Sequence, residues 1–304
     1  MAKSYLTMLS YSNITLDAFH TQWLPDHIQA AMLRLDKLHP AISGNKWFKL
    51  KHNIEAAKAD RCNGILTCGG AYSNHIAATA LACKLAGLGA LGIIRGEEHH
   101  GNMSHTLTTA DENGMGLVFV SREDYRNRTT LQAYEILFPD YHVVPEGGHN
   151  ALGASGCEEI LSILPTTDFT HILCAAGTGT TLAGLINSAA PAQQVIGIPV
   201  LKGARYLEQE VRDLLHPANT ASWQLLHDFH CGGYGKHPAH LIDFINTFHA
   251  ATGIPTDIIY TGKLVMAFRD LAQQGYFPDG SKVLLIHTGG LQGNLSLAPD
   301  VLSF

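Results

Sequence analysis

Short apolar runs alternate along this chain with stretches of helical periodicity, and that alternation narrows the possible folds more than any other feature. The runs fall at residues 64–68, 90–94, 117–120, 141–144, 171–174, 195–198 and 283–287. Between them, apolar residues recur at i, i+3 and i+4 over 76–85, 157–164, 182–189, 241–250 and 264–272. A helix that crosses back between two strands leaves them parallel, and parallel sheets need cover on both faces. The expected fold is therefore α/β, with two open twisted parallel sheets carrying helices on both faces. Pro145, Gly147 and Gly148 punctuate the best hinge. They suggest a smaller α/β domain at 50–145 and a larger one built from 1–49 plus 146–304.

Composition removes several classes of function. Apolar residues are 46% of the 304 and charged residues 15%, a balance that supports a large core and argues against disorder. The net charge is -6 with no long Lys/Arg run, so no nucleic-acid partner is expected. The longest apolar runs, such as 283–286, fall far short of the roughly 20 residues a membrane-spanning helix needs. Residues 1–10 show neither an apolar core nor a small-residue cleavage site, so no secretory leader is expected. Cys62, Cys68, Cys83, Cys157, Cys174 and Cys231 form no CxxC pair, which fits a reducing cytoplasm. His99, His100 and His105 are the tightest group among 18 histidines. Their Glu/Gly/Asn-rich surroundings read as a solvated loop, and no metal is expected.

Four segments carry the residues that could do chemistry. Ser43-Gly44 interrupts the chain, and a helix begins near Lys46. The positive end of a helix disfavours an ammonium, and the apolar neighbours Trp47 and Phe48 disfavour it further. A lysine with a lowered pKa suits carbonyl condensation, because only the neutral amine attacks. The same stretch also fits a solvated lysine that anchors a helix start. Next, Gly69-Gly70 follows a strand and leads to Ser73 and Asn74, which fit either a helix cap or a ligand contact. The loop Gly177, Thr178, Gly179, Thr180, Thr181 lies between a strand and a helix and fits a phosphate cradle. It is not a dinucleotide fingerprint, because Leu182 stands where Gly or Ala is needed, and no Gly-Lys-Ser/Thr makes it a P-loop. Last, Thr288-Gly289-Gly290 follows the strand at 283–287, while Tyr234 and Tyr260 sit beside glycine-containing turns.

Taken in order, Gly44-Asn45-Lys46, Tyr72-Ser73-Asn74-His75, Gly177-Thr178-Gly179-Thr180 and His287-Thr288-Gly289-Gly290 resemble the fold-type II pyridoxal-phosphate enzymes, of tryptophan synthase β-like architecture. Asn150-Ala151-Leu152-Gly153 and Tyr260-Thr261-Gly262-Lys263 extend the match, which runs from about residue 34 to 293. The segments look most like the branch of 1-aminocyclopropane-1-carboxylate deaminase and D-cysteine desulfhydrase. The resemblance implies pyridoxal 5'-phosphate held covalently by Lys46, with Asn74 on the ring hydroxyl and residues 177–181 on the phosphate. It places Ser73 at the substrate carboxylate or as an auxiliary base, Tyr234 and Tyr260 over the substrate, and Thr261 or Thr288 near the pyridine nitrogen. A hydroxyl there leaves that nitrogen largely unprotonated, which weakens the electron sink and favours elimination.

The implied activity is a deaminating β-elimination on a small amino acid, D-cysteine to pyruvate, ammonia and hydrogen sulfide being the favoured case. A homodimer is implied by family precedent. Two departures bear on this. Trp47-Phe48 stand where relatives often have a basic residue, and the segment before Ser43 looks short. Thr261 is the most informative position: cyclopropane-opening members carry Glu after the equivalent tyrosine, desulfhydrase-like members Thr. Other readings stay open: 1-aminocyclopropane-1-carboxylate deamination, racemisation, L-amino acid dehydration, β-replacement, or cofactor binding without turnover. A nicotinamide oxidoreductase is disfavoured by the missing fingerprint.

Overall fold

The strands follow the chain as β1 (Leu16–Phe19), β2 (Gln29–Arg34), β3 (Gly64–Gly70), β4 (Gly89–Arg95), β5 (Met115–Val120), β6 (Tyr141–Val144), β7 (His171–Ala176), β8 (Gln194–Pro199), β9 (Ser222–Leu225) and β10 (Lys282–His287). The structure is a computed structural model and describes residues 9–304. The expectation about a leader at 1–10 thus falls largely outside the described residues. The chain divides into two compact units. One comprises His39–Ile42 and Lys46–Gly156, the other Ser10–Leu38, Ser43–Asn45 and Cys157–Phe304.

In the first unit the strand order is β5-β4-β3-β6, all parallel. The chain runs outward from β3 through β4 to β5, then returns to place β6 on the other side of β3. In the second unit the order is β1-β2-β10-β7-β8-β9. Here every pairing is parallel except β1 with β2 at one edge. The order reverses after β7: β8 and β9 extend one side, and β10 lies on the other. Ligands of open α/β sheets sit beyond the carboxyl ends of strands at such reversals. Those ends are Gly69-Gly70 closing β3, Gly177 after β7 and Thr288 after β10.

The fold is therefore two parallel-sheet α/β domains, as the alternation predicted, with one antiparallel edge strand added. Central strands are buried on both faces: Val283, Leu284, Leu285 and Ile286 of β10 are all fully buried. In the second unit Phe268 packs edge-on against Phe19 and Phe277, with ring centroids 6.3 and 5.6 Å away. The helix expected at 157–164 starts earlier, as Ala151–Glu158, and tightens into a 3-10 turn at Glu159–Ser162. Asn150 explains the shift, because its Oδ1 accepts from Gly153 N at 2.8 Å and satisfies a first-turn donor. Gly156 is required inside that helix, since a Cβ there would collide with the Phe48 carbonyl oxygen. Among the described residues, no helix is long and apolar enough to cross a membrane.

Candidate active site

In the first unit, Lys46 is the second residue of the helix Asn45–Ala59 and is half-buried. Trp47 and Phe48 beside it are buried. Lys49 lies one turn on, and its Nζ donates to Gly147 O at 3.0 Å. Asn53 follows at the next i+4 position. It exchanges amide hydrogen bonds with Asn150, donating at 3.3 Å and accepting at 2.8 Å. One helix face thus holds the glycine turn at 146–148, where Gly147 and Gly148 both have positive φ.

The loop after β3 is shaped by close approach. A Cβ on Gly69 would lie 2.8 Å from Ile76 Cγ1 and 3.0 Å from Ser73 Oγ. Ser104 pins the loop by donating its hydroxyl to Ala71 O. Ser73 precedes the helix Asn74–Ala86 in extended conformation, but its side chain makes no capping bond. Of the two roles open to Ser73 in the sequence, capping is therefore not the one its hydroxyl plays. Asn74 is buried, and its Oδ1 has no hydrogen-bond partner. An unmet buried amide oxygen is costly, roughly 1–3 kcal/mol, unless a ligand completes it.

His75, next along the helix, was quoted in the sequence motif without a role. Its Nε2 is 3.0 Å from Thr67 Oγ1, whose own proton goes to Val144 O at 2.7 Å. A hydroxyl has one proton, so His75 Nε2 must be the donor of that pair. Nδ1 is then a bare acceptor, buried and without a partner. Burial, reinforced by the charges of Lys46 and Lys49, pushes the His75 pKa down to about 3. The ring is neutral at any physiological pH.

The histidines at 99–105 take ordinary places. His99 meets the Tyr72 ring edge-on at 6.3 Å, and His100 does the same to Phe119 at 5.4 Å. His105 begins the helix His105–Glu112. Among the described residues, no cluster of His, Cys, Asp or Glu has the geometry of a metal site.

In the second unit, the residues just before Lys46 pack against the end of β10. Gly44 has φ +67, and a Cβ on it would fall inside the Thr288 carbonyl. Asn45 N donates to Thr288 O at 3.2 Å, and Asn45 Nδ2 donates to Thr181 Oγ1 at 2.7 Å. One asparagine thus ties the Thr288 turn to the loop after β7. That loop turns through Gly179 at φ +81 into the helix Thr180–Ser188. Its first-turn amides precede the intrahelical bonds, which is the arrangement that receives anions. The Tyr260 ring lies over it: a Cβ on Gly177 would be 3.3 Å from Tyr260 Cε1. Tyr234 meets Tyr260 edge-on, with centroids 6.2 Å apart.

Asp257, which the sequence reading passed over, organises this corner. It is fully buried. Its carboxylate accepts from Ile259 N (2.9 Å), Tyr260 N (2.8 Å), Thr261 N (2.7 Å) and Thr261 Oγ1 (2.5 Å). Thr261 Oγ1 in turn accepts from Asp257 N at 2.8 Å. The hydroxyl proton of Thr261 is therefore committed to Asp257, and none is left to give a pyridine nitrogen. Of the two threonines considered for that place, Thr288 makes no such bond. The signal for Asp257 was present as an Asp in a Pro-Thr-Asp turn ahead of a helix, a capping pattern. A second buried network stands behind Thr288: Arg34 pairs with Asp36 at 2.7 Å, and Asp36 lies 3.3 Å from His287 Nδ1.

Comparison with known proteins shows the family to which the chain belongs. A family profile described as pyridoxal-phosphate dependent enzyme matches residues 21–289. A Pyrococcus abyssi protein, provisionally named 1-aminocyclopropane-1-carboxylate deaminase, is 28% identical, covering 96% of this chain and 96% of its own. The mitochondrial bifunctional D-cysteine desulfhydrase/1-aminocyclopropane-1-carboxylate deaminase of Arabidopsis thaliana is 26% identical, covering 95% of this chain and 79% of its own. A crystal structure of an ACC deaminase homologue superposes with a TM-score of 0.78 at 24% identity, over 94% of this chain and 92% of that one.

Proposed function

Because this chain belongs to the pyridoxal-phosphate dependent enzymes, in the branch of 1-aminocyclopropane-1-carboxylate deaminase and D-cysteine desulfhydrase, we propose that it is a deaminating lyase whose favoured substrate is D-cysteine. The observation that carries the reading is the bond from Asn45 Nδ2 to Thr181 Oγ1. It anchors the residue before Lys46 to the loop that suits a phosphate. The buried, unpartnered amide oxygen of Asn74 also suits the cofactor, since a ring hydroxyl is the kind of group that would complete that amide.

On this reading Lys46 holds the cofactor aldehyde, Asn74 meets the ring hydroxyl, and Gly177, Thr178, Gly179, Thr180 and Thr181 bind the phosphate. When bound, pyridoxal phosphate supplies the electron sink for the α-carbon. Ser73 faces the substrate carboxylate, and Tyr234 and Tyr260 orient the substrate. Lys46 Nζ would take the Cα proton of the substrate. The Cβ–S bond breaks with its electron pair leaving on sulfur. Addition of water then gives pyruvate, ammonia and hydrogen sulfide. The preference for a sulfur leaving group is supported by Thr261, which stands where the resemblance implies Glu in cyclopropane-opening members and whose hydroxyl is bonded to Asp257.

The names of the relatives favour one second reading, deamination of 1-aminocyclopropane-1-carboxylate. The test is side-by-side assay of D-cysteine, L-cysteine, both serine enantiomers and 1-aminocyclopropane-1-carboxylate, measuring ammonia, sulfide and keto acid. D-cysteine is expected to turn over fastest, and Lys46→Ala is expected to abolish both the visible cofactor absorbance and ammonia release. Turnover of an L-amino acid or of the cyclopropane without turnover of D-cysteine overturns the reading. A cofactor chromophore with no turnover of any amino acid points instead to a binding protein.

A further inference from the structure

Lys263 is fully buried, yet the chemistry above does not use it. It sits in the first turn of the helix Thr261–Gln273, and its Nζ donates to Gly233 O at 2.7 Å. Burial lowers its pKa, with Cys231 and Asp257 acting in the opposite direction. An ammonium taken out of water is expensive, and an apolar side chain of similar length would fill the same volume without that cost. The segment it holds has little conformational preference of its own. Cys231, Gly232, Gly233 and Gly235 all have positive φ, at 52, 92, 123 and 69°. Glycines restrict the backbone least, so the loop's shape depends on the bonds that tie it: Gly233 N to His230 O at 3.0 Å, Lys236 N to Gly233 O at 3.2 Å, and, from outside the loop, Lys263 Nζ to Gly233 O. Tyr234, in its middle, is 45% exposed.

We propose that Lys263 is a positioning residue: its ammonium latches the loop at 231–235 through Gly233 O and thereby sets Tyr234 against Tyr260. The proposal deepens the lyase reading and rests on it for what Tyr234 does to substrate. The latch itself is a statement about the loop and can be measured without substrate. The ring contact between Tyr234 and Tyr260, and that of Tyr260 with Gly177, mean that a displacement of Gly233 is felt where the substrate is proposed to lie. A lysine that served only the stability of the second unit would show no such local effect.

The test uses the full chain loaded with cofactor, comparing Lys263→Met and Lys263→Gln with the unaltered protein. Hydrogen–deuterium exchange of the peptide spanning 231–236 is expected to quicken at least tenfold in K263M, with β7 and β10 unchanged. K263Q, whose amide can still donate to Gly233 O, is expected to fall between. With the best substrate, K263M is expected to raise KM at least fivefold while kcat changes less than twofold. In a Tyr234→Ala background the same change is expected to cost less than twofold in kcat/KM, because the route of its effect is gone. Unchanged exchange at 231–236 overturns the proposal, as does K263Q exchanging as fast as K263M. A full kinetic loss in the Tyr234→Ala background does so too. A K263M chain that fails to fold, or loosens β7 and β10 alike, assigns Lys263 to stability and also overturns it. If the loop loosens as expected while the unaltered protein turns over no amino acid, the latch stands and the lyase reading falls.

Discussion

Acid should weaken the first unit through one histidine, and the structure says by how much. His75 is held neutral, with Nε2–H donated to Thr67 and no partner on Nδ1. Its pKa falls from 6.5 to about 3 on folding. Below 6.5 the unfolded chain binds a proton that the folded chain refuses, so stability present above 6.5 is lost as pH falls toward 3. At pH 4 the proton partition between those two values is worth about 3 kcal/mol, and at neutral pH only a few tenths. The comparison is urea unfolding of the protein without cofactor at neutral pH and at pH 4, for the unaltered chain and for His75→Gln. Carboxylates also titrate in this range, but they contribute to both chains and cancel in the difference. The variant is expected to start less stable and to lose about 3 kcal/mol less on acidification. Equal losses in the two chains would refute the argument that His75 is buried as an uncompensated neutral ring.

Substitutions at three further positions test other parts of the geometry. Gly44→Ala puts a Cβ inside the Thr288 carbonyl at φ +67. It is expected to cost about 3 kcal/mol in thermal unfolding and to weaken cofactor binding measured by fluorescence titration. Asp257→Ala strands four donors and is expected to destabilise the second unit by at least about 4 kcal/mol, with Asp257→Asn costing roughly half, read by denaturant midpoint. Thr261→Glu forces a second carboxylate against Asp257 in a fully buried position. It is expected to lower stability by about 3–5 kcal/mol, with partial recovery when Asp257→Asn is added.

The elements legible in the sequence were those whose burial left a periodic trace. β10 reads as Val-Leu-Leu-Ile because both faces are covered, and the helix at 261–273 shows its apolar stripe. β2 did not read as a strand because Gln29-Ala30-Ala31-Met32 contains no β-branched or aromatic residue. It is a strand because β10 and β1 pair with it on either side, which is tertiary context overriding propensity. β1 and β9 are four residues each, too short to show alternation. The glycine turns were legible for a different reason. Gly44, Gly69 and Gly179 stand where backbone or a side chain approaches too closely for a Cβ, Gly177 lies close under the Tyr260 ring, and such positions mark themselves in a single sequence.

Side-chain hydrogen bonding was the part that could not be read, and Thr261 shows why. Its place after Tyr260 invited a direct role at the pyridine ring. The structure commits its proton to Asp257, four residues back, and the same carboxylate holds the backbone of Ile259 and Tyr260. A threonine here therefore acts on Tyr260 through Asp257. A glutamate in its place would compete with that carboxylate for the same donors, and either Asp257 or the new side chain would have to turn away. Lys263, two positions further on, does the corresponding work for Tyr234 through Gly233. Tyr260, which lies over Gly177, and Tyr234, which meets it edge-on, are thus tied to a buried carboxylate and a buried ammonium. Changing Asp257 should therefore alter substrate handling as well as stability, changing Lys263 should alter substrate handling with β7 and β10 unmoved, and changing Thr261 alone should cost stability before it gains a new substrate.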